Sequence, residues 1–328
     1  MKNNTATIDL HCHLDGSLSP GCIRALAKTA GITLPVSEKG LRSCLQVEPG
    51  CRSLKEYLEK FGLPLSCLIS EESFETAAYD VMAQGAGEHT IYMEIRFAPL
   101  LSAAEGLTSR QIVESVLRGL KKAEESFQIK GNIILCAMRH MPWEKNMEIV
   151  ELAREYLGQG VCAIDLAGDE AAFPVLGQKR VFEEAARLGI PFTIHAGECS
   201  SAESIQNAVE LGAKRIGHGI AMAGNKDAIR LCRQREIGIE MCPTSNLQTK
   251  AVPSMGQYPF REFWEEGLLV TVNTDNRTVS GTTVTQELEA LEQAGYLLPE
   301  ERKQLMQNAA KASFADNAVK DWMLEKIG

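Results

Sequence analysis

The most constraining feature of this sequence is its alternation of short apolar runs with longer amphipathic stretches. Eight runs are nearly continuously hydrophobic, as is typical of strands covered by helices on one face and by a packed barrel interior on the other. Repeated βα units of this kind predict an α/β fold with parallel strands, a (β/α)8 TIM barrel. The predicted strands are residues 6–14, 90–98, 132–139, 161–167, 191–196, 215–218, 237–242 and 269–274. Helical periodicity is clearest in residues 109–127, 146–157, 178–188, 201–211 and 226–235.

Extra helices are expected after strand 1 and at the C-terminus. Roughly seventy-five residues separate the first two predicted strands, far more than a loop usually holds. Within that segment an apolar stripe recurs at helical spacing, formed by Leu54, Tyr57, Leu58 and Phe61. The stripe predicts either a helix packed on the core or a hydrophobic lid over a pocket at the C-terminal side of the barrel.

Length and charge narrow the classes of function. A chain of 328 residues suits one barrel domain, residues 1–328, since such a barrel needs ~250 residues or somewhat more. A net charge of -9 disfavours nucleic acid and anionic membrane as partners, because both favour a basic surface. The sequence therefore favours a neutral small molecule as substrate.

The cysteines and the N-terminus bear on the compartment. The chain has ten cysteines, scattered through apolar runs without a C-x-x-C pair, which is typical of buried reduced thiols. Residues 1–5 lack the apolar core of a secretion signal, and no stretch approaches the ~18 apolar residues of a membrane span. We expect a cytoplasmic protein.

Titratable side chains recur where the predicted strands stop. Four of the six histidines stand at such ends, where barrel enzymes keep their catalytic groups. His11 and His13 alternate along strand 1 and therefore face the same side. The other site candidates follow strands 5, 6 and 8 and are His195, Glu198, His218 and Asp275. His89 and His140 have no partner in this pattern, and we expect both to be structural or exposed.

Three imidazoles and one carboxylate suit a single zinc ion. Zinc lowers the pKa of bound water from ~15.7 to near 7, which supplies a hydroxide that can attack a carbon such as purine C6. Glu198 is the candidate proton donor to the ring nitrogen beside that carbon, if burial raises its pKa; a solvated loop glutamate is the alternative. His218 is either a base or electrostatic anchor for the water, or a fourth imidazole ligand.

These residues resemble the adenosine deaminases of the metal-dependent amidohydrolase superfamily. The resemblance spans essentially the whole chain and rests on the order and spacing of seven segments, residues 11–16, 92–99, 165–170, 195–198, 217–219, 242–246 and 273–275. It implies that His11, His13, His195 and Asp275 bind zinc, that Glu198 protonates purine N1, and that His218 handles the attacking water.

The resemblance also implies substrate contacts that spacing could not show. His13 lies at the substrate, Asp15 contacts the ribose 5′-hydroxyl, and the backbone N–H of Gly168 contacts purine N3. An apolar helix after strand 1 serves as a lid in this family, which favours the lid interpretation of the stripe at residues 54–61.

The sequence departs from the family after Asp275. Familiar animal members have a second Asp and then Pro there, whereas this chain has Asn276 and Arg277. An asparagine amide donates to purine N7 at any pH, so Asn276 can keep the contact. We expect Arg277 to be a surface replacement for the proline.

The resemblance implies hydrolytic deamination of adenosine, and of 2′-deoxyadenosine, to inosine and ammonia in purine salvage. The alternative substrates are adenine or a modified adenine nucleoside. A nucleotide would require Lys or Arg at the strand ends. The H-x-E and P-C-x-x-C signature of nucleic-acid deaminases is absent. A barrel that has lost turnover and only binds is the rival from another class, yet all six metal and catalytic candidates are present. The oligomeric state does not follow from the sequence.

Overall fold

The computed structural model describes residues 6–48, 50–104 and 106–328, and its centre is a set of parallel strands. Each strand overlaps one of the predicted apolar runs. The strands are β1 Thr7–His13, β2 Thr90–Phe97, β3 Lys130–Met138, β4 Val161–Ala167, β5 Thr193–Ala196, β6 Arg215–His218, β7 Gly238–Met241 and β8 Leu269–Val272. Neighbours in sequence pair in parallel from β1 to β4 and again from β5 to β8.

Two short pairings close these halves into a barrel. Between β4 and β5, Ile164 bridges to Phe192 in parallel. Between β8 and β1, the backbone N–H of His13 donates to the carbonyl of Asp275 at 2.7 Å, and the N–H of Asp275 donates to the carbonyl of His11 at 2.8 Å. The predicted (β/α)8 fold is confirmed. The closure also holds Asp275 beside β1, although their sequence positions are far apart.

The helices surround the barrel and bury apolar faces against it. The long connection after β1 contains helices, as predicted, and its α-helices in the described residues are α1 Pro20–Thr29, α2 Glu38–Leu45, α3 Leu54–Leu58, α4 Gly62–Cys67 and α5 Glu71–Gly87. The connections between later strands contain α6 Pro99–Ser102, α7 Ser109–Ser126, α8 Trp143–Tyr156, α9 Lys179–Arg187, α10 Ala202–Leu211, α11 Lys226–Gln234, α12 Pro243–Gln248 and α13 Phe260–Glu265. The C-terminal helices are α14 Val284–Gln293, α15 Arg302–Ala312 and α16 Asn317–Ile327.

Local chemistry explains several helix boundaries. The side chain of Thr108 accepts from the N–H of Gln111 and begins α7, and Ser70 begins α5 in the same way through Ser73. Gly212 ends α10 with a φ of 106°, a conformation that side chains with a Cβ resist. None of the helices in the described ranges combines the length and apolar character that crossing a membrane requires.

Candidate active site

The four predicted metal ligands lie together at the C-terminal end of the barrel. His11 and His13 come from the end of β1, His195 from β5, and Asp275 from the residues just after β8. One side-chain atom from each residue can be chosen so that all four atoms lie within 4.8 Å of one another. Asp275 is held in the left-handed region, with a φ of 60°, which marks a strained site residue.

The spacing of these atoms fits one tetrahedral ion. Bonds of ~2.0 to 2.1 Å in a tetrahedron separate neighbouring ligand atoms by roughly 3.3 Å. The Nε2 atoms of His13 and His195 are 3.2 Å apart, and Oδ1 of Asp275 lies 3.4 Å from Nε2 of both His11 and His13. The buried Nε2 of His11 has no hydrogen-bond partner among the described residues, which leaves it available to a metal. The donor set therefore fits a divalent cation.

Two buried carboxylates orient the imidazoles. Nδ1 of His11 lies 2.7 Å from Oε2 of Glu240, and Nδ1 of His195 lies 2.9 Å from Oδ2 of Asp165. An ionised carboxylate only accepts, so each Nδ1 carries the proton. Each Nε2 then keeps a lone pair directed at the cluster, as metal coordination requires.

Arginines inside the barrel keep those carboxylates charged. Arg96 donates to Asp165 at 3.0 Å and to Glu240 at 2.9 Å, and Arg215 donates to Glu240 and Glu94 at 2.6 Å. Burial acts to raise the pKa of Glu240, but the two guanidinium charges hold it well below its ordinary value. This network was not predicted from the sequence, although charged residues within otherwise apolar strands are a pattern that indicates buried ion pairs.

Glu198 and His218 face each other beside the cluster. Oε2 of Glu198 lies 3.5 Å from Nε2 of His218. Burial, reinforced by the negative charges of Asp275 and Glu170, raises the pKa of Glu198 to about 8. Burial lowers the pKa of His218 well below its ordinary value, although the negative charge of Asp275 acts to raise it. The neighbouring imidazoles of His11 and His195 lower it further. A protonated carboxyl and a neutral imidazole therefore stand together at neutral pH.

A cavity of about 400 Å³ opens in front of this pair, a size suited to a small organic molecule. Asp15, Gly168 and Asn276 line it. Oδ1 of Asp15 is buried and has no hydrogen-bond partner in the part of the chain that the structure describes, and burial raises the pKa of this carboxyl to about 6. Oδ1 of Asn276 packs against Gly16, where an added Cβ would stand 1.8 Å from it. The Asn276 amide can therefore direct its NH2 group into the cavity.

The apolar stripe after strand 1 forms one wall of the cavity. Leu54, Tyr57, Leu58 and Phe61 all line it. The Tyr57 side chain is buried, and its hydroxyl lies 2.7 Å from Oγ of Ser280, whereas Leu58 is 39% exposed. The stripe thus combines a packed anchor with a more exposed edge.

One expectation about a single residue needs correction. Arg277 was expected on the surface, but its side chain is only 2% exposed. It forms an ion pair with Glu88, and its Nη1 lies 3.9 Å from Oδ2 of Asp9. The first residues of the loop after β8 turn inward, which sequence adjacency could not show. His140 is exposed, which is one of the two outcomes expected for it, and it also lines the cavity. Its place after β3, at a strand end, is the signal that was available.

A closed (β/α)8 barrel with this His and Asp cluster at its C-terminal end defines an enzyme of the metal-dependent amidohydrolase class. The family model described as adenosine deaminase matches residues 7–328. An adenosine deaminase of Enterococcus faecalis is 43% identical over 98% of this chain and 95% of its own length. The chain belongs to the adenosine deaminase family and is an enzyme of that type.

Solved structures agree with this assignment. An adenine deaminase from Arthrobacter aurescens superimposes with a TM-score of 0.89 at 26% identity and covers 98% of both chains. The N6-methyl-AMP deaminase of Arabidopsis thaliana gives a TM-score of 0.86 at 26% identity, covering 99% of this chain and 96% of its own. Related barrels thus act on several adenine compounds, so the substrate must be argued from the site.

Proposed function

We propose that this enzyme deaminates adenosine, and 2′-deoxyadenosine, to inosine and ammonia. Water adds to purine C6, the C6–N6 bond breaks, and the amino group leaves as ammonia. The observation that carries this proposal is the pair formed by Glu198 and His218 beside the His and Asp cluster, at the wall of a cavity of nucleoside size.

We propose zinc as the metal, one ion per chain, held by His11, His13, His195 and Asp275. Imidazole and carboxylate ligands in tetrahedral spacing suit this ion. When bound, it acts as a Lewis acid that lowers the pKa of a water ligand.

The remaining chemistry belongs to the chain. Glu198, protonated at neutral pH, donates its proton to purine N1 as charge builds on the ring. The neutral imidazole of His218 orients the attacking water and handles its proton. Both side chains are largely buried, so a bound purine displaces water from their surroundings and strengthens these contacts.

Four groups on the cavity wall orient the substrate. The backbone N–H of Gly168 donates to N3, and the amide of Asn276 donates to N7. Asp15 accepts from the ribose 5′-hydroxyl, which would satisfy its unpartnered buried oxygen. His13 adds a contact beside the metal. The helix that contains Leu54, Tyr57 and Leu58, with Phe61 after it, is proposed as an apolar lid.

The charge of the cavity favours a nucleoside over a nucleotide. Among the described residues that line it, none is lysine or arginine, while three are aspartates, Asp15, Asp169 and Asp275. A phosphate on the ribose would meet negative charge without a compensating cation. Adenine, or a modified adenine nucleoside, remains the alternative, since an adenine deaminase shares the fold.

We place the protein in the cytoplasm. All ten cysteines are free thiols, and eight of them are buried. Such unpaired cysteines are typical of a reducing compartment.

The deciding experiment follows the loss of adenosine absorbance with the purified protein, beside 2′-deoxyadenosine, adenine and AMP. A chelator should abolish the reaction, and added Zn²⁺ should restore it. We expect adenosine to have a higher kcat/KM than adenine, which is the same base without the ribose. A higher kcat/KM for adenine or AMP would replace the proposed substrate, and full activity of a metal-free preparation would refute the metal dependence.

A further inference from the structure

Glu170 gathers four hydrogen-bond donors from the loop after β5 and the start of α10. The backbone N–H of Gly197 donates to Oε1 at 2.8 Å, and those of Glu198 and Cys199 donate to Oε2 at 3.0 Å. The hydroxyl of Ser204 completes the set by donating to Oε1 at 2.5 Å. The Glu170 side chain is buried, with 3% of the residue exposed.

This arrangement depends on the shape of the loop between β5 and α10. Gly197 has a φ of 71°, and an added Cβ would lie 2.5 Å from Cδ1 of Ile205, so the chain turns tightly there. The turn directs three successive backbone N–H groups toward one side. Buried N–H groups need an acceptor, and a carboxylate supplies stronger hydrogen bonds than a neutral group would. Glu170 is that acceptor for all three.

The hydrogen bonds of Glu170 join the two loops that contain the proposed contacts to the purine ring. Glu170 belongs to the loop after β4, which also contains Gly168, whereas Glu198 belongs to the loop after β5. Only one residue separates Glu170 from Gly168 along the chain, since Asp169 lies between them. The carboxylate therefore joins the loop of the proposed donor to N3 to the loop of the proposed donor to N1.

We propose that Glu170 is a positioning residue, which holds the backbone of Glu198 at the distance from Gly168 that a purine ring requires. The proposal rests on the function proposed above, because it takes Glu198 as the acid. Glu170 itself is not among the described residues that line the cavity. Its negative charge also contributes to keeping the pKa of Glu198 raised, behind burial and the charge of Asp275.

The test begins with E170Q. A glutamine has one acceptor oxygen, and its NH2 group would face backbone donors, so the loop should shift. Because a shift of about 1 Å in a reacting group costs about 100-fold, we expect kcat to fall about 100-fold while KM changes little and metal content stays equimolar. E203Q is the matched control, since it removes the same charge from an exposed residue in the first turn of α10, the helix that contains Ser204. It should keep wild-type kcat.

A double-mutant cycle separates positioning from general damage. If Glu170 acts through Glu198, E170Q should slow the residual reaction of E198Q by less than about twofold. The same 100-fold loss in both backgrounds, or a loss that follows metal content, would overturn the proposal. So would a raised KM with unchanged kcat.

E170D is the second variant, because it keeps the charge and both acceptor oxygens. Its shorter side chain should lower kcat less than E170Q does, and wild-type kcat in E170D would also overturn the proposal. Wild-type protein and E198Q are measured first. If wild type does not turn over adenosine, or if E198Q is unimpaired, the proposed function fails, and that result is distinct from a failure of Glu170.

Discussion

The hydroxyl of Ser245 donates to Oδ2 of Asp275 at 2.5 Å, which leaves Oδ1 directed at the imidazoles of His11 and His13. One carboxylate oxygen is thus occupied by the protein and the other is available to a metal. The serine belongs to α12, after β7, while the aspartate follows β8. The loops after two neighbouring strands therefore orient this carboxylate together.

Turnover should depend on a protonated Glu198. Burial and the charges of Asp275 and Glu170 raise its pKa to about 8, so the carboxyl is protonated and neutral below that pH and ionises above it. We expect kcat to fall as the pH rises through about 8. E198Q should retain metal but lose about 10²- to 10⁴-fold in kcat, with no such alkaline limb. A pH profile of both proteins, with metal analysis, checks this; an unchanged alkaline limb in E198Q would refute the assignment.

His195→Ala should lose the metal itself. The substitution removes an imidazole whose Nε2 lies 3.2 Å from that of His13. Metal analysis after dialysis should find far less than one ion per chain, together with loss of turnover. His89→Asn is the control, because His89 is exposed and its φ of 64° suits asparagine. Full occupancy in the His195 variant would show that the ligand set is wrong.

Asn276 should contribute through N7 of the purine. Its Oδ1 packs against Gly16, so the NH2 group is the part available to the substrate. Removing a hydrogen bond between uncharged groups costs about 1 kcal/mol, or roughly fivefold in kcat/KM. In the wild-type enzyme, kcat/KM for adenosine should therefore exceed kcat/KM for 7-deazaadenosine, which lacks N7, by at least this factor. In Asn276→Ala this ratio should fall to the value set by the different reactivities of the two rings. An equal ratio in both proteins would count against the contact.

Asp15 should determine the preference for a ribosylated base. Its buried Oδ1 has no partner within the described residues and would accept from the 5′-hydroxyl. Asp15→Ala should lower kcat/KM for adenosine by at least 10-fold, since hydrogen bonds to charged groups contribute about 1.5 to 3 kcal/mol. Its kcat/KM for 5′-deoxyadenosine should hardly change. Equal losses with both nucleosides would show that Asp15 does not contact this hydroxyl.

Arg277 should stabilise the fold. Its buried guanidinium pairs with Glu88 and lies near the fully buried Asp9. Arg277→Met leaves those carboxylates without their cation and should lower the free energy of unfolding by about 3 kcal/mol. Arg230→Met is the control, because Arg230 pairs with Asp227 on the surface and such pairs contribute less than about 1 kcal/mol. Urea denaturation of both variants measures the difference, and equal effects would contradict the buried role.

The order of strands and helices was accessible from local pattern. Apolar runs with parallel-strand character predicted all eight strands within a few residues, and the long first connection predicted extra helices. The positions of His11, His13, His195 and Asp275 at strand ends were equally visible, because barrel topology brings such ends together wherever the strands lie in the chain.

Other features depended on contacts between distant residues. Arg277 points inward because Asp9 and Glu88 lie within its reach, and neither neighbours it in sequence. Glu170 accepts hydrogen bonds from three N–H groups of another loop, and a periodic sequence pattern does not predict such a contact.

The sequence by itself determined the succession of elements and the residue types at the barrel mouth, because hydrophobic periodicity and strand alternation are local properties. Only the tertiary structure decided which buried charges pair, which nitrogen of each imidazole faces the cluster, and how the loops are joined. Those outcomes depend on distances between residues brought together by folding, since hydrogen bonds and ion pairs act over a few ångströms of space and are independent of separation along the chain.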